Sequence, residues 1–310
     1  MIGLGDNVID CNFIKEMYYP GGNSLNFAVY AKNLGYKSAY AGSMGNDYPA
    51  AFLEKILKKY QVDISHCIRT NGETGRSVVI LKNGDRTIIE ENNGGVVYEY
   101  PIQIDSEMTA YLTEFDLIHT SCNAFIDDQL GIIKSAGVPV LYDFSDLWTE
   151  STFERICPDI TFAFFSGKDL PEDKLIEFIK KCVDKYGCLL GITTVGIRGA
   201  YVYDGRNVHF KAPYLLNTKV EDTTGAGDAW ITAFIGEYIR GIKQAKIYGQ
   251  NIDINMYKDV LIDSSMSAGN LFASYICTVS GAFGNGISMS KVMWSHFINK
   301  GGLKDEKENV

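Results

Sequence analysis

The residues best suited to chemistry lie in the short stretch 222–228, where an Asp and two Thr precede Gly-Ala-Gly-Asp. An apolar run, 231–236, follows, and a helix that apolar is expected to be buried. The amino terminus of such a helix presents unpaired N–H groups and a positive dipole end. The small residues Gly225, Ala226 and Gly227 leave that terminus open to an anion such as a phosphate.

Asp228 belongs to the first turn of this predicted helix, within reach of whatever the amides bind. Phosphoryl transfer to a hydroxyl requires a site that neutralises the charge of the moving group and a base that accepts the hydroxyl proton. The alternative is that Asp228 only complements the helix dipole, as a lone Asp at such a position usually does. The joint pattern of Asp222, the small residues and Asp228 favours the catalytic interpretation.

Short apolar runs alternate with amphipathic segments along the chain. Predicted strands include 117–119, 138–142, 160–164 and 189–193, and predicted helices include 26–34, 48–60 and 171–186. Strand followed by helix, repeated, predicts an α/β fold with a mostly parallel central sheet covered on both faces. Ligands of such sheets bind beyond the carboxyl ends of the strands.

Two segments depart from this alternation. Residues 77–82 and 86–89 flank Asn83-Gly84-Asp85, a pattern typical of a β-hairpin with an Asn-Gly turn. The hairpin is either a small flap or a decoration of the sheet. The segment 241–255 is predicted to be a polar surface loop between two helices.

The composition is that of an ordinary soluble protein, with 310 residues, 46% hydrophobic and 22% charged. The net charge of −9 disfavours nucleic acid as a partner, although amides and helix ends can still hold a nucleotide. The seven cysteines form no CxxC pair and the four histidines are scattered, so we expect reduced thiols and no zinc site. No secretory leader or membrane-spanning stretch is apparent, and we therefore expect a cytoplasmic protein without a membrane partner.

Two motifs carry a resemblance to a known family. The stretch 222–228 resembles DTxGAGD, the carboxy-terminal signature of the ribokinase-like (PfkB) carbohydrate kinases. GGNSLNFA at 21–28 and GSMGND at 42–47 resemble the family's Gly-Gly-Asn and G-x-D motifs, and GDNVID at 5–10 fits its first strand. These signatures extend over residues 5–228.

The resemblance implies a ribokinase-like three-layer α/β sandwich. It implies one domain, 1–310, with a small β lid formed by about residues 11–20 and 74–97. The implied activity is ATP-dependent, Mg²⁺-requiring phosphorylation of a primary hydroxyl on a sugar or sugar conjugate. A homodimer formed through the lid is a further expectation.

The resemblance also implies roles for individual residues. Asp228 would take the proton from the substrate hydroxyl, and the amides of Gly225, Ala226 and Gly227 would form the anion hole. The residues implied to bind the sugar are Asp10, Gly22, Asn23, Asn26, Arg76 and Glu90. Without the family, the simpler interpretations are favoured, namely a turn residue for Asp10 and a helix-surface amide for Asn26.

Residues implied to bind ATP lie later in the chain. They are Ser166, Thr194, Gly196, Gly199, Asn270, Gly281 and Ala282. Asp222 and Thr224 match positions that often hold a monovalent cation such as K⁺. Ser166 stands where the family often has an Asn that orders magnesium, which is a departure from the pattern.

Within the family, the chain resembles the fructoselysine 6-kinases. The most distinctive shared stretch is YDFSDLW at 142–148, supported by DISH at 63–66. The implied substrate is a glycated amino acid phosphorylated at its 6-hydroxyl. Such a substrate carries both an ammonium and a carboxylate, for which Arg76, Glu90, Glu91, Asp143 and Asp146 are candidate partners. Fructose, ribose and 2-keto-3-deoxygluconate are alternative substrates.

Two other classes of protein fit the sequence less well. A nicotinamide oxidoreductase would need GxGxxG, but Gly3-Leu4-Gly5 is followed by Val8 at the third glycine position, and no P-loop motif occurs. A non-catalytic sugar sensor on the same fold has no need of a base, so the intact Asp228 argues against it.

Overall fold

The computed structural model describes residues 1–12, 15–82, 85–90, 92–215, 217, 219–248 and 254–288. The strands are β1 Ile2–Leu4, β2 Val8–Asn12, β3 Met17–Gly21, β4 Ala39–Ala41, β5 Ser43–Met44, β6 Ile68–Arg69, β7 Gly75–Lys82, β8 Asp85–Glu90, β9 Ile118–Ser121, β10 Val140–Asp143, β11 Phe162–Ser166, β12 Leu190–Thr194, β13 Ala200–Tyr203, β14 Val208–Lys211 and β15 Ile287–Ser288. The helices are α1 Asn23–Asn33, α2 Tyr48–Lys59, α3 Val96–Glu99, α4 Ser106–Leu112, α5 Leu130–Ser135, α6 Glu150–Ile156, α7 Glu172–Lys180, α8 Ala226–Tyr248 and α9 Ile254–Ile276.

The main sheet has the strand order β14-β13-β12-β11-β10-β9-β1-β4 within the described ranges. Its strands from β12 to β4 pair in parallel, and β13 and β14 close one edge in antiparallel register. All four predicted strands and all three predicted helices are present, with shifts of a few residues at their ends. The expected α/β fold with a mostly parallel sheet is therefore confirmed.

Helices cover both faces of this sheet. On one face, apolar side chains of α4, α5, α6 and α7 pack in a single cluster with side chains of the strands. On the other, α1, α8 and α9 contribute to a second cluster that includes Phe234 and Ile262. The parallel strands are buried on both faces, which explains why they appear in the sequence as continuous apolar runs rather than alternating ones.

A second sheet, with the order β15-β3-β2-β7-β8, is called the lid sheet below. Its β7 and β8 pair in antiparallel register as the predicted hairpin, and the turn residues Asn83 and Gly84 lie outside the described residues. In the chain, β2 and β3 of the lid sheet come between β1 of the main sheet and the start of α1. The boundaries of the lid and the single-domain assignment stay predictions.

The prediction of a polar loop over 241–255 is wrong for its first half. Helix α8 continues to Tyr248, and α9 begins at Ile254. Ile242 packs against the second core cluster, and the Tyr257 hydroxyl donates to the Gly241 carbonyl oxygen at 2.8 Å. Two apolar anchors are enough to hold a helix whose other faces are solvated, and a polar composition alone does not reveal this.

His119 lies at the centre of the main sheet, on β9. Its ring is fully buried and stacks on Phe27, with ring centroids 4.5 Å apart. Neither ring nitrogen has a hydrogen-bond partner among the described residues. Burial lowers the pKa of His119 to about 3, so the ring is neutral in the folded protein at physiological pH.

Replacing His119 with Phe is expected to make the protein less sensitive to mild acid. Unfolding lets the ring regain its ordinary pKa, so the unfolded chain binds a proton below about pH 6.5 and the folded protein does not. The stability lost between about pH 8 and about pH 5 should therefore be about 2 kcal/mol smaller in His119→Phe. Urea unfolding at both pH values measures this, and the difference at the higher pH reports the packing change alone. An equal loss in both proteins would contradict a neutral buried ring.

Candidate active site

The amino terminus of α8 lies where the carboxyl ends of the parallel strands meet. Gly225 precedes the helix with a φ of +74°, and its carbonyl accepts the N–H of Ala229 at 2.9 Å. A Cβ on Gly225 would lie 2.5 Å from the Tyr30 hydroxyl and 2.7 Å from the Ala282 Cβ. Both the backbone angle and the close approach therefore require glycine at this position.

The next glycine of the motif has the opposite surroundings. A Cβ on Gly227 would meet no atom within 4 Å, so open space lies beside the first turn of α8. The leading N–H groups of a helix have no partner within the helix and can bind an anion placed there. Among the three expected donors, the N–H of Ala226 already donates to the Thr223 carbonyl at 3.2 Å.

Asp228 is held by two asparagine amides. Its Oδ1 accepts from Asn23 Nδ2 at 3.1 Å, and its Oδ2 accepts from Asn26 Nδ2 at 2.7 Å. The two asparagines are three residues apart on α1 and so lie on one face of that helix. Asp228 is 9% exposed. The two amide donors fix the orientation of its carboxylate, which a general base requires.

Asn26 also presents a hydrogen-bond acceptor beside Asp228. Its amide oxygen is buried and has no hydrogen-bond partner among the described residues. A buried acceptor left unsatisfied costs about 1–3 kcal/mol, and a hydroxyl from a ligand would remove that cost. This oxygen supports the predicted contact between Asn26 and a sugar hydroxyl.

A second carboxylate, Asp143, lies beside the first. It ends β10 and is 2% exposed, and Asn23 Nδ2 donates to its Oδ2 at 3.1 Å as well as to Asp228. Burial, and then the nearby charge of Asp228, raise the pKa of Asp143 well above its ordinary value. Sequence reasoning proposed Asp143 only as a possible charge for the substrate. Its place beside Asp228 could have been predicted from its position as the last residue of a buried parallel strand, because ligands bind at that end of such strands.

Asp6 fixes the start of α1 and was not predicted as part of the site. Its buried carboxylate accepts the N–H groups of Asn23 at 2.7 Å and Ser24 at 3.0 Å, and the Ser121 hydroxyl at 2.9 Å. Gly22 has a φ of +107°, and a Cβ there would lie 2.8 Å from the Asn7 Cα. Asp6 is distant from α1 in the sequence, but its side chain caps the start of that helix. It thereby orients the asparagines that hold Asp228.

The other predicted sugar ligands lie on the lid sheet. Asp10 on β2 is buried, and its Oδ1 accepts a hydrogen bond from the Ser77 hydroxyl. Arg76 lies on β7, opposite Ile9 of β2, and its side chain is 21% exposed. Glu90 ends β8 and is partly exposed. The lid sheet therefore contributes carboxylates and a guanidinium, although sugar binding by these residues stays a prediction.

Four of the predicted ATP residues lie at or just after the carboxyl ends of β11 and β12, on the same side of the sheet as Asp143. Ser166 and Thr194 face each other at the carboxyl ends of β11 and β12. Gly196 has a φ of +58° and no atom within 4 Å of a built Cβ, whereas a Cβ on Gly199 would lie 2.5 Å from the Lys211 carbonyl oxygen. These positions line the same edge of the sheet as Asp143, as expected for a ligand that binds there.

The remaining predicted ATP residues have internal partners. The Asn270 side chain accepts from Trp230 Nε1 at 2.9 Å and donates to the Ala212 carbonyl at 2.5 Å, so both ends of its amide are in use. The Ala282 carbonyl accepts from the Tyr30 hydroxyl. The position of Asn270 inside the α8–α9 packing explains its burial without a ligand, and its adenine role stays a prediction.

The predicted cation residues join two loops. The carboxylate of Asp222 accepts the N–H of Thr224 at 2.9 Å and the N–H of Gly281 at 2.8 Å. This connects the stretch before α8 to the segment after α9. Each carboxylate oxygen keeps a lone pair for another partner, so the geometry allows a cation but also has a purely structural explanation.

Comparison with known proteins decides the family. Residues 13–282 match the model of the "pfkB family carbohydrate kinase". The chain belongs to this family.

Curated relatives of this carbohydrate kinase support the same assignment. The chain is 34% identical over 287 residues to fructosamine kinase FrlD of Bacillus subtilis, which covers 92% of the chain and 93% of the relative. It is 29% identical over 239 residues to fructoselysine 6-kinase of Escherichia coli, covering 77% and 89%. The chain is thus a sugar kinase, an enzyme that transfers the phosphoryl group of ATP to a sugar hydroxyl.

Solved structures show the same fold for this kinase. The ribokinase of Giardia lamblia has a TM-score of 0.74 at 14% identity and covers 91% of this chain and 93% of its own. The ribokinase of Thermotoga maritima has a TM-score of 0.64 at 20% identity, covering 95% and 96%. The expected ribokinase-like fold is confirmed.

Kinases of this family use ATP and Mg²⁺. At the catalytic edge, the edge of the main sheet formed by the carboxyl ends of its parallel strands, a Cβ built on Gly227 or Gly196 would meet no other atom within 4 Å. Hydroxyl-bearing Ser166 and Thr194 lie between them at the strand ends.

No helix in the described ranges has the length and hydropathy needed to cross a membrane.

Proposed function

We propose that this kinase phosphorylates the 6-hydroxyl of a ketose that carries an amino acid through nitrogen, as fructoselysine does. The observation that carries the proposal is the similarity to two curated relatives, named as a fructosamine kinase and a fructoselysine 6-kinase. The kinase activity follows from the family, and the proposal concerns its acceptor and its residues.

The polar groups near Asp228 and on the lid sheet suit such an acceptor. Asp143 shares the Asn23 amide with Asp228, Asp10 is buried on β2, and Glu90 ends β8. A glycated amino acid is more cationic than a plain sugar because its linking nitrogen is protonated. Arg76 on the lid sheet suits its carboxylate. Charged groups of both signs are more than a neutral hexose requires.

The proposed mechanism assigns the proton to Asp228. Its carboxylate, fixed by Asn23 and Asn26, would accept the proton of the primary hydroxyl as that oxygen bonds to the γ-phosphorus of ATP. The bond between the γ-phosphorus and the β,γ-bridging oxygen would break, and ADP would leave. The N–H groups of Gly227 and its neighbours at the start of α8 stabilise the charge on the phosphoryl oxygens. Closure of the lid sheet over the sugar would exclude water from this step.

The nucleotide would lie along Thr194, Gly196 and Gly199, with its adenine towards Gly281 and Ala282. Mg²⁺ would neutralise phosphate charge at the strand ends near Ser166, and it commonly keeps several waters in place of protein ligands. This makes the loss of the usual Asn at that position tolerable. A monovalent cation such as K⁺ beside Asp222 and Thr224 would further polarise the loop that forms the anion hole.

Two properties of the whole molecule complete the proposal. The cysteines at all seven positions are free thiols, which supports a reducing compartment such as the cytoplasm. The lid sheet has β8 at one edge, a strand to which another chain could add, which supports a homodimer through the lid.

The test of the substrate is a comparison of kcat/KM for fructoselysine, fructose and ribose with saturating ATP. We expect fructoselysine to be preferred by at least about tenfold, or about 1.4 kcal/mol in the transition state. Arg76→Gln should lower kcat/KM for fructoselysine more than kcat/KM for fructose, and so reduce that preference. A tenfold preference for a free sugar would overturn the proposed acceptor and leave the sugar kinase assignment intact.

A further inference from the structure

A cluster of metal-binding side chains lies at the end of the main sheet opposite to the catalytic edge. Asp204 follows β13, His209 lies on β14 and Asp259 lies on α9. Because β13 runs antiparallel to β12, the end of β13 lies beside the start of β12. The start of β12 is its amino end, and the active site lies at the carboxyl end.

The ligand atoms of the cluster converge on one point. Nε2 of His209 lies 3.8 Å from Asp204 Oδ2 and 3.7 Å from Asp259 Oδ1, and all three atoms lie within 4.8 Å of one another. These distances are too long for hydrogen bonds. They are close to the spacing of about 3.4 Å between ligands that each lie about 2.1 Å from a tetrahedral metal.

Two of these atoms are buried without a partner. Asp204 Oδ2 and His209 Nε2 have no hydrogen-bond partner among the described residues, and the side chain of Asp204 is 1% exposed. The other oxygen, Oδ1, accepts the N–H groups of Arg206 at 2.9 Å and Asn207 at 2.7 Å. The turn therefore fixes the Asp204 carboxylate with Oδ2 directed at the imidazole, and this buried oxygen accepts no hydrogen bond in the described ranges.

The charges near this point leave it negative when the imidazole is neutral. In the described part of the chain, the charged groups at this point are the two carboxylates and the Lys258 ammonium, whose Nζ lies 3.6 Å from Asp204 Oδ2 and donates to the Asp204 carbonyl at 2.9 Å. Asn207 Nδ2 donates weakly to Asp259 Oδ1 at 3.3 Å. A neutral imidazole and two carboxylates are ligands that zinc and its neighbours in the first transition row accept.

We propose that Asp204 Oδ2, His209 Nε2 and Asp259 Oδ1 bind a divalent transition-metal ion, Zn²⁺ in the first place. This site could not be predicted from the sequence, because its ligands come from a turn, an edge strand and a distant helix. The ion joins the β13–β14 edge of the main sheet to α9, the helix that packs along α8. Its effect is therefore on the stability of this edge, and it takes no part in phosphoryl transfer.

The experiment is equilibrium dialysis of the full-length protein, without nucleotide, against Zn²⁺, followed by metal analysis and thermal unfolding. Wild type should bind one more Zn²⁺ per chain than His209→Gln or Asp259→Asn, and Zn²⁺ should raise its Tm. Each variant should weaken this binding at least about tenfold, since even the loss of a partner of a metal ligand costs about 10–100-fold.

Two further variants make the test specific. His66→Gln removes a histidine elsewhere on the chain and should bind Zn²⁺ as wild type does. Lys258→Met removes the competing ammonium and should bind Zn²⁺ several-fold more tightly, which a variant that merely loosens the fold would not do. Equal Zn²⁺ binding and equal Tm shifts in wild type and His209→Gln would place the ion elsewhere, for example on thiols, and overturn the proposal.

Discussion

Replacing Asp228 with Asn is expected to lower kcat by about 10²–10⁴-fold with little change in ATP binding. The substitution keeps the shape of the side chain and removes the proton acceptor. The new amide would face the donor of Asn26, but that side chain can turn over and present its unpartnered oxygen instead. The fold should therefore survive, and steady-state kinetics with an ATP-binding assay measure the effect.

Asp116→Asn is the matched control for this variant. It makes the same chemical change on an exposed side chain just before β9, at the end of the main sheet opposite to Asp228, so kcat should stay close to wild type. If Asp228→Asn kept near wild-type turnover, Asp228 would not be the base. The proposed mechanism would then be wrong, whereas the family assignment would not be affected.

Replacing Gly227 with Val should also abolish most of the turnover, by about 10²-fold or more. Because a Cβ at this position meets no atom within 4 Å, the side chain would project into the space proposed for the phosphoryl group. The circular dichroism spectrum and the Tm should change little. Full activity in this variant would show that the phosphoryl group does not pass the first turn of α8.

Two other glycines provide controls for Gly227→Val. Gly131 also lies in a helix, α5, with nothing near a built Cβ, so Gly131→Val should retain activity. Gly225→Ala should instead reduce stability, because its Cβ would lie 2.5 Å from the Tyr30 hydroxyl at a φ of +74°. A stable, active Gly225→Ala protein would contradict the tight packing described around the start of α8.

Local sequence patterns predicted most of the fold. Buried parallel strands appear as apolar runs, and the hairpin around Asn83 and Gly84 follows from its turn residues. The loop prediction was wrong for 241–248, because the residues that hold the end of α8 lie on a different element. Tyr257, for example, contributes from α9.

The site could be predicted only in part for a similar reason. The stretch 222–228 is contiguous, so its chemistry is visible in the sequence. The pairing of Asp143 with Asp228 and the capping of α1 by Asp6 depend on strands that meet only in the folded sheet. No spacing rule connects residues that far apart, which also explains why the cluster around His209 gave no signal.

The position of the phosphate on the product shows which hydroxyl Asp228 receives. Because we propose that Asp228 receives a primary hydroxyl, the product of fructoselysine and ATP should carry its phosphate on carbon 6. In a two-dimensional phosphorus–proton correlation spectrum, the new phosphorus signal should couple to the two protons of that carbon, and Asp228→Asn should form little of it. A product phosphorylated on a ring hydroxyl or on the amino-acid part, or ADP released without a phosphorylated sugar, would contradict the account.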